Sequence, residues 1–187
     1  MMESYLFCYH GTTKRDGENI EQRIDLSRAR YRTDFGKGFY VTNNLKQAKK
    51  WAIGRAKDEM VDGRLPAGTE PVVVYFHLDI KKLMSLTTKQ FEQPTKEWAE
   101  FIFNCRSTGF KNELYHAFDY TFGPLADGRT NILVRKILNG LITLDEFFNS
   151  IKPLYMTNSQ LALHTEAAIE CLKIVGVEEI EMDRLYF

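Results

Sequence analysis

The sequence has 187 residues, which suits one domain, and its 25 basic and 25 acidic residues give a formal net charge of zero. That balance argues against a protein dominated by nucleic-acid binding, although it is compatible with a local basic groove. Hydrophobic residues make up 44% of the chain, which is enough for a packed core and excludes disorder as the main state.

Strands are predicted where short apolar or aromatic runs end at glycine or polar residues. The clearest is 72–78, which is rich in β-branched and aromatic side chains. Residues 5–9 predict a buried strand that ends at His10 and Gly11. The remaining predicted strands are 36–42, 118–122, 160–164 and 178–182.

Two helices are predicted in the first two thirds of the chain from apolar residues spaced three or four positions apart. The first begins after Asn43 or Asn44, either of which is a suitable N-cap, and Trp51 lies beside its apolar face. The apolar faces of the two helices are Leu45, Ala48, Ala52 and Ala56, and Trp98, Phe101, Ile102 and Cys105.

Three more helices are predicted towards the end of the chain. One covers 131–138 and is ended by Gly140, and the next begins at the capping box 143–146. The last is capped by Thr165 and is expected to bury Ala168, Cys171 and Leu172 before it ends at Gly176.

Short strands and helices that do not alternate strictly predict an α+β fold, here in a single domain over 1–187. The cysteines are expected to be buried reduced thiols. No Cys/His cluster has the spacing of metal ligands, so no metal site is expected. Without a signal sequence or a long apolar run, the chain is expected to be cytoplasmic and to have no membrane partner.

The densest group of candidate functional residues combines 10–12 (HGT) with 34–42 (DFGKGFYVT). A glycine directly after a strand-terminal histidine lets the backbone N–H and C=O face a ligand closely. Two glycines around Lys37 permit a tight turn before an aromatic strand. A turn and a buried tyrosine explain each piece alone, and it is the combination that predicts a ligand site.

These residues carry a resemblance to a known enzyme family. Residues 9–12 (YHGT), then 36–40 (GKGFY) and a helix, resemble the diphtheria-toxin-type ADP-ribosyltransferases, close to their poly(ADP-ribose) polymerase branch. That branch has a second aromatic residue eleven positions after the tyrosine, which corresponds here to Trp51 after Tyr40. The sequence is more specifically similar to a bacterial family of small ADP-ribosyltransferase-like proteins, through 34–40 (DFGKGFY), 123–127 (GPLAD) and 160–165 (QLALHT).

The resemblance extends over about residues 5–175 and implies a split β-sheet core with flanking helices. It also implies that NAD⁺ binds as a substrate. His10 would bind the adenosine-side ribose, and the Gly11 backbone would pair with the nicotinamide carboxamide. Tyr40 and Trp51 would stack on the two faces of the nicotinamide ring. The other NAD⁺ contacts assigned are Thr12, Asp34, Phe35, Gly38 and Phe39.

Four residues are assigned to catalysis on the same basis: His10, Tyr40, Gln160 and Asp127. Gln160 stands where the toxin-like families have a glutamate, and its amide can hydrogen-bond a ribose hydroxyl without supplying a charge. That favours transfer of one ADP-ribose unit over chain elongation. Asp127 is an auxiliary candidate or simply a helix cap. His164 is expected to be a supporting or a capping residue and not a catalyst, and His116 carries no prediction.

The implied function is an NAD-dependent mono-ADP-ribosyltransferase that acts as the toxin of a toxin–antitoxin or anti-phage system. Its partners would be a cognate antitoxin protein and a macromolecular acceptor, which is protein, RNA or DNA. Two alternatives stay open: a catalytically inactive NAD- or partner-binding module, and an NAD glycohydrolase in which water replaces the acceptor. The basic stretch 23–32 is either solvated or a contact for phosphates.

Overall fold

The computed structural model describes residues 5–153 and 158–182 and has the predicted α+β fold. In chain order, its elements are β1 (Tyr5–Thr13), α1 (Lys14–Gln22), a 3-10 turn (Leu26–Arg28), β2 (Phe39–Val41), α2 (Leu45–Asp58), β3 (Pro71–Asp79), α3 (Ile80–Leu83), β4 (Thr88–Gln90), α4 (Lys96–Gly109), β5 (Tyr120–Pro124), α5 (Thr130–Leu138), α6 (Leu144–Ile151), β6 (Ser159–Leu163), α7 (Glu166–Ile169) and β7 (Leu172–Glu179).

The chain folds into two compact units, each built from separate stretches of sequence. Unit 1 contains 5–25, 41–85 and 169–182, and unit 2 contains 26–40 and 86–168 without 154–157. Whether the chain behaves as the single domain predicted over 1–187 stays a prediction.

Unit 1 is built on the three-stranded sheet β1-β3-β7, in which β3 pairs antiparallel with both neighbours. Helix α2 packs directly against β1 at Gly11, where an added Cβ would lie 1.9 Å from the carbonyl oxygen of Ala48. Helix α1 approaches at Gly17, where a Cβ would lie 2.9 Å from a methyl group of Val72. The small residues therefore let two helices pack closely on this sheet.

Unit 2 contains the four-stranded sheet β2-β6-β5-β4, with β5 and β6 antiparallel and β4 and β5 parallel. Helices α4, α5 and α6 pack around one hydrophobic core, which is centred on the fully buried Trp98, Phe35 and Phe147. The indole N–H of Trp98 donates to the carbonyl of Pro124 at 3.2 Å, so the one polar atom of this buried ring is satisfied.

Most local predictions are confirmed. Asn44 caps α2, and the capping box at Thr143 opens α6 with both of its hydrogen bonds present. Helix α5 ends before Gly140, whose φ of +67° is a left-handed conformation that glycine adopts without strain. The cysteines are buried thiols, as predicted.

Three predictions are wrong. Strand β1 does not end at His10 and Gly11 but continues to Thr13, paired with β3 throughout. The helix capped by Thr165 is a single turn, because Leu172 and Gly176 belong to the last strand. That strand begins at 172 instead of 178. Helix α1 follows β1 directly and was not predicted.

The helices of the described residues include none with the length and apolar character to cross a membrane.

Candidate functional site

The residues assigned from the sequence are divided between the two units. His10, Gly11, Thr12 and Trp51 belong to unit 1, whereas Asp34, Phe35, Gly38, Phe39, Tyr40, Asp127 and Gln160 belong to unit 2. Two arrangements result, one around the 34–38 turn and one along the edge of β1.

The 34–38 turn is held by side chains that bind three successive backbone carbonyls. The ring nitrogen Nε2 of His116 lies 2.9 Å from the oxygen of Phe35, and Nδ1 of His164 lies 2.8 Å from the oxygen of Lys37. Between them, the Tyr40 hydroxyl lies 2.7 Å from the oxygen of Gly36. With all three carbonyls bonded, the turn has one defined conformation, in which Gly36 has a φ of +81°.

The Tyr40 hydroxyl has a second function in this turn. It accepts a hydrogen bond from the N–H of Phe35 at 3.0 Å and lies 3.0 Å from Oγ1 of Thr33. Burial raises the pKa of Tyr40, so the hydroxyl stays protonated at physiological pH. The partly exposed ring packs against the core of unit 2. Tyr40 therefore fixes the turn through its hydroxyl while its ring packs on the core, whereas stacking on nicotinamide stays a prediction.

The two histidines that hold the turn are neutral. Burial lowers the pKa of His164 to about 4 and also lowers that of His116, and their ring centres are 4.7 Å apart. Nε2 of His164 lies 3.0 Å from the Thr121 hydroxyl, and Nδ1 of His116 accepts from the N–H of Phe118 at 3.2 Å. These partners assign one N–H to each ring, directed at a carbonyl of the turn.

Gly38 lies where β6 leaves no room for a side chain. An added Cβ would be 2.7 Å from Nδ1 of His164 and 2.8 Å from the carbonyl oxygen of Leu163. The glycine therefore permits the contact between the turn and His164, and this packing accounts for it without a ligand. His164 supports the turn as predicted, but His116 was missed, because no sequence motif contains it.

A buried polar cluster lies at the start of the same turn. Arg106 donates from Nε and from a terminal nitrogen to Oδ1 of Asp34, at 2.9 and 2.6 Å. Nε2 of Gln160 donates to Oδ2 of Asp34 at 3.0 Å. Asp34 is 6% exposed and Gln160 4%, so this carboxylate depends on its partners for the hydrogen bonds that water would otherwise supply. Gln160, expected to grip a ribose, thus has its amide nitrogen bonded to Asp34.

In unit 1, the edge of strand β1 that faces away from β3 is only partly paired. The N–H and C=O of Tyr9 pair with Thr42, at 2.8 and 3.0 Å, on the side of β1 away from β3. Backbone groups two residues apart in a strand point to the same side, so the N–H and C=O of Gly11 also point away from β3. Within 5–153 and 158–182, no residue hydrogen-bonds either group. Gly11 is buried, so both groups require a partner.

The remaining assigned residues have mixed surroundings. Phe35 is fully buried against Phe91 and Phe101, which makes it a core residue of unit 2. Asp127 is exposed, and its N–H donates to the carbonyl of Ile151 at 2.9 Å. Thr12 is buried in β1, His10 and Phe39 are partly buried in their strands, and Trp51 is partly buried on α2. Their assignment to NAD⁺ or catalysis stays a prediction.

No group of three His, Cys, Asp or Glu side chains in the described part of the chain is arranged to hold a metal ion.

A family model described as "Protein of unknown function (DUF3990)" matches residues 6–174, a range that includes every site residue discussed above. No curated protein matches the chain.

Proposed function

The chain belongs to the DUF3990 family, whose description states no activity, and we propose from its own residues that it is an NAD-dependent mono-ADP-ribosyltransferase. The observation that carries this proposal is the unpaired backbone of Gly11. A primary carboxamide has one carbonyl acceptor and an NH₂ donor, so it can accept from the N–H of Gly11 and donate to its C=O. The carboxamide of nicotinamide is such a group.

The 34–38 turn supports the second requirement of the reaction, a rigid site. Cleavage of the bond between nicotinamide and ribose creates positive charge on the sugar as the neutral base leaves. An enzyme favours this step mainly by holding the two parts in a fixed geometry, which costs no reorganisation during the reaction. Tyr40 follows this turn on β2, and its hydroxyl bonds the middle one of the three bonded carbonyls, so its side chain is held in place and suits this holding function.

The surroundings of Gln160 indicate whether one ADP-ribose unit or a chain of units is transferred. Its neutral amide is bonded to Asp34, and the charge of Asp34 is in turn paired with Arg106. Gln160 has no carboxylate, and the carboxylate of Asp34 is already paired, so neither side chain can activate a further hydroxyl for chain elongation. We therefore propose transfer of one ADP-ribose to a macromolecular acceptor, with NAD⁺ as the substrate and no metal.

The cellular role is part of the same proposal. The enzyme acts in the cytoplasm as the toxin of a toxin–antitoxin or anti-phage system, and a cognate antitoxin protein neutralises it. The bonding of Gln160 to Asp34 also favours a second candidate, a catalytically inactive module that binds NAD⁺ or a partner. An NAD glycohydrolase is the remaining alternative.

The experiment compares NAD⁺ with its deamido analogue, in which a carboxylate replaces the carboxamide. A carboxylate has no hydrogen to donate and would face the C=O of Gly11, so we expect its turnover to be at least about a hundredfold slower. Release of the free base is measured with and without cell lysate as a source of acceptor, and label from adenine-labelled NAD⁺ is followed into macromolecules.

Label transfer together with rejection of the analogue supports the transferase. Base release that needs no acceptor identifies a glycohydrolase, and binding without turnover identifies an inactive module. Equal turnover of both dinucleotides would contradict the assignment of Gly11 to the carboxamide. His10→Ala serves as the matched variant, since it removes the proposed ribose contact and leaves the Gly11 backbone unchanged.

A further inference from the structure

Two exposed arginines of unit 2 contact the same aromatic ring. Cζ of Arg32 lies 5.5 Å from the centre of the Phe110 ring, and Cζ of Arg135 lies 5.1 Å from it. Both are cation–π distances. Over the described ranges, neither guanidinium forms an ion pair with a carboxylate. Two positive charges without a paired carboxylate are therefore held at most about 11 Å apart, close to the Debye length of about 10 Å at 0.1 M salt.

The positions of these arginines are fixed by contacts beneath them. Arg106 donates to the Asn131 side chain at 2.7 Å and to the backbone carbonyl of Arg32 at 3.0 Å. Phe110 follows Arg106 by four residues at the end of α4, and Arg135 follows Asn131 by four residues on α5. Residues four apart share a helix face, so the two contacts between α4 and α5 lie one turn apart.

The segment before the 34–38 turn extends this surface. It passes so close to α4 that a Cβ at Gly109 would lie 2.6 Å from the carbonyl oxygen of Tyr31. Nζ of Lys37, a residue of the turn itself, lies 4.8 Å from the centre of the Tyr31 ring. We call Tyr31, Arg32, Lys37, Phe110 and Arg135 the Phe110 surface. It includes Lys37 of the 34–38 turn and so adjoins the contacts of the Tyr40 hydroxyl.

We propose that the Phe110 surface binds single-stranded nucleic acid, which, if the proposed function holds, is the acceptor of ADP-ribose. A nucleic-acid strand carries one phosphate per nucleotide, so successive phosphates can neutralise the neighbouring cations of this surface together. A single carboxylate can pair with only one of them. Flat guanidinium groups and aromatic rings also stack on unpaired bases. The zero net charge of the chain is compatible with a local basic surface of this kind.

The test measures binding without NAD⁺. Fluorescence anisotropy of labelled dT₂₀ and U₂₀ is recorded with the full chain between 50 and 300 mM KCl. Each neutralised phosphate contributes about 0.7 to the slope of log affinity against log salt for single strands. Arg32→Gln and Arg135→Gln should therefore each lower the slope by about 0.7 and weaken binding. Lys152→Gln is the matched control, because Lys152 also lies over a ring, 5.6 Å from that of Phe148 on α6, and its loss should leave both values unchanged.

Several results would overturn the proposal. Failure of the wild type to bind either oligonucleotide would contradict it, and so would tighter binding of a duplex than of single strands. Equal slopes of log affinity against log salt for the wild type and both arginine variants would contradict it as well. Displacement of the oligonucleotide by NAD⁺ would show that the arginines hold the dinucleotide diphosphate instead. Displacement by polyglutamate at equal charge would indicate an acidic protein.

The outcome is independent of the transferase activity. Oligonucleotide binding that depends on Arg32 and Arg135 supports this surface even if NAD⁺ is never cleaved. Conversely, release of nicotinamide by a protein that binds no nucleic acid would overturn the acceptor and leave the proposed reaction in place.

Discussion

A glutamate at position 160 would place a second carboxyl group against the buried Asp34, and the Gln160→Glu variant therefore tests the polar cluster beneath the 34–38 turn. Nε2 of Gln160 now donates to Asp34 over 3.0 Å, and both residues are almost completely buried. Arg106 already pairs with Asp34, so the cluster contains no second cation for a new carboxylate.

The expected cost follows from the distance. Two unit charges 3.0 Å apart repel by about 5.5 kcal/mol at an effective dielectric constant of about 20. Keeping the new carboxyl protonated costs less, about 4 kcal/mol at pH 7 for a group with an unperturbed pKa of about 4.3. The proton can then donate to Asp34 in place of the amide. We expect Gln160→Glu to be about 4 kcal/mol less stable than the wild type at pH 7 and about 1 kcal/mol less stable at pH 5.

Urea unfolding at pH 5, 6 and 7 measures this difference. The folded variant keeps a proton that the unfolded chain releases, so its stability relative to the wild type should fall by about 1.4 kcal/mol per pH unit. Gln93→Glu, at an exposed position three residues after β4, is the control and should stay within about 0.5 kcal/mol of the wild type. A Gln160→Glu variant as stable as the wild type at pH 7, or a deficit independent of pH, would refute the reasoning.

Two further predictions concern stability. Burial lowers the pKa of His164 to about 4, so this side chain binds a proton at higher pH in the unfolded chain than in the folded one. The free energy of unfolding should therefore decrease by up to about 3 kcal/mol as the pH is lowered from about 6.5 to 4. His164→Gln should reduce this pH dependence in unfolding experiments, and an identical pH profile would contradict the buried, neutral state of the ring. Gly11→Ala should destabilise unit 1 by more than about 3 kcal/mol, because the new methyl group would meet the Ala48 carbonyl at 1.9 Å. The matched control is Gly54→Ala, on the exposed side of α2, where no atom lies within 4 Å of the new methyl group. This variant should instead stabilise the protein by about 0.5–1 kcal/mol. If both variants have equal effects on thermal unfolding, α2 does not pack on β1 as described.

The elements that the sequence predicts correctly are those with a local signal. Asn44 and Thr143 cap their helices through residues three positions away, and the strand around 72–78 follows from its β-branched residues. In each case the interacting groups are neighbours in the chain. A single stretch of sequence therefore contains the whole physical reason for the structure.

Glycine positions were harder to interpret. The sequence predicts Gly11 as the end of a strand because glycine tolerates unusual backbone angles, whereas in β1 its missing side chain leaves room for α2. Gly38 likewise leaves room for His164. Glycine suits both an unusual backbone angle and close packing against another element. Only the position of that distant element shows which of the two reasons applies.

The candidate site could be predicted only in part for a related reason. The motifs located the 34–38 turn and the strand that carries His10 and Gly11, but not the groups that hold the turn. Gln160 is 126 positions from Asp34, and His116 lies 81 positions from Phe35. Contacts across such separations leave no periodic signal in one sequence, so the buried cluster and the pair of histidines emerged only from the fold.

The order of these contacts along the chain has a consequence for biosynthesis. Every side chain outside the turn region that binds it, from Arg106 through His116 and Gln160 to His164, is translated long after residues 34–38. The ribosome must therefore translate beyond His164 before the 34–38 turn acquires all of these contacts. A nascent or prematurely terminated product that stops short of β6 lacks half of these anchors, so its 34–38 turn would not be held in the final conformation.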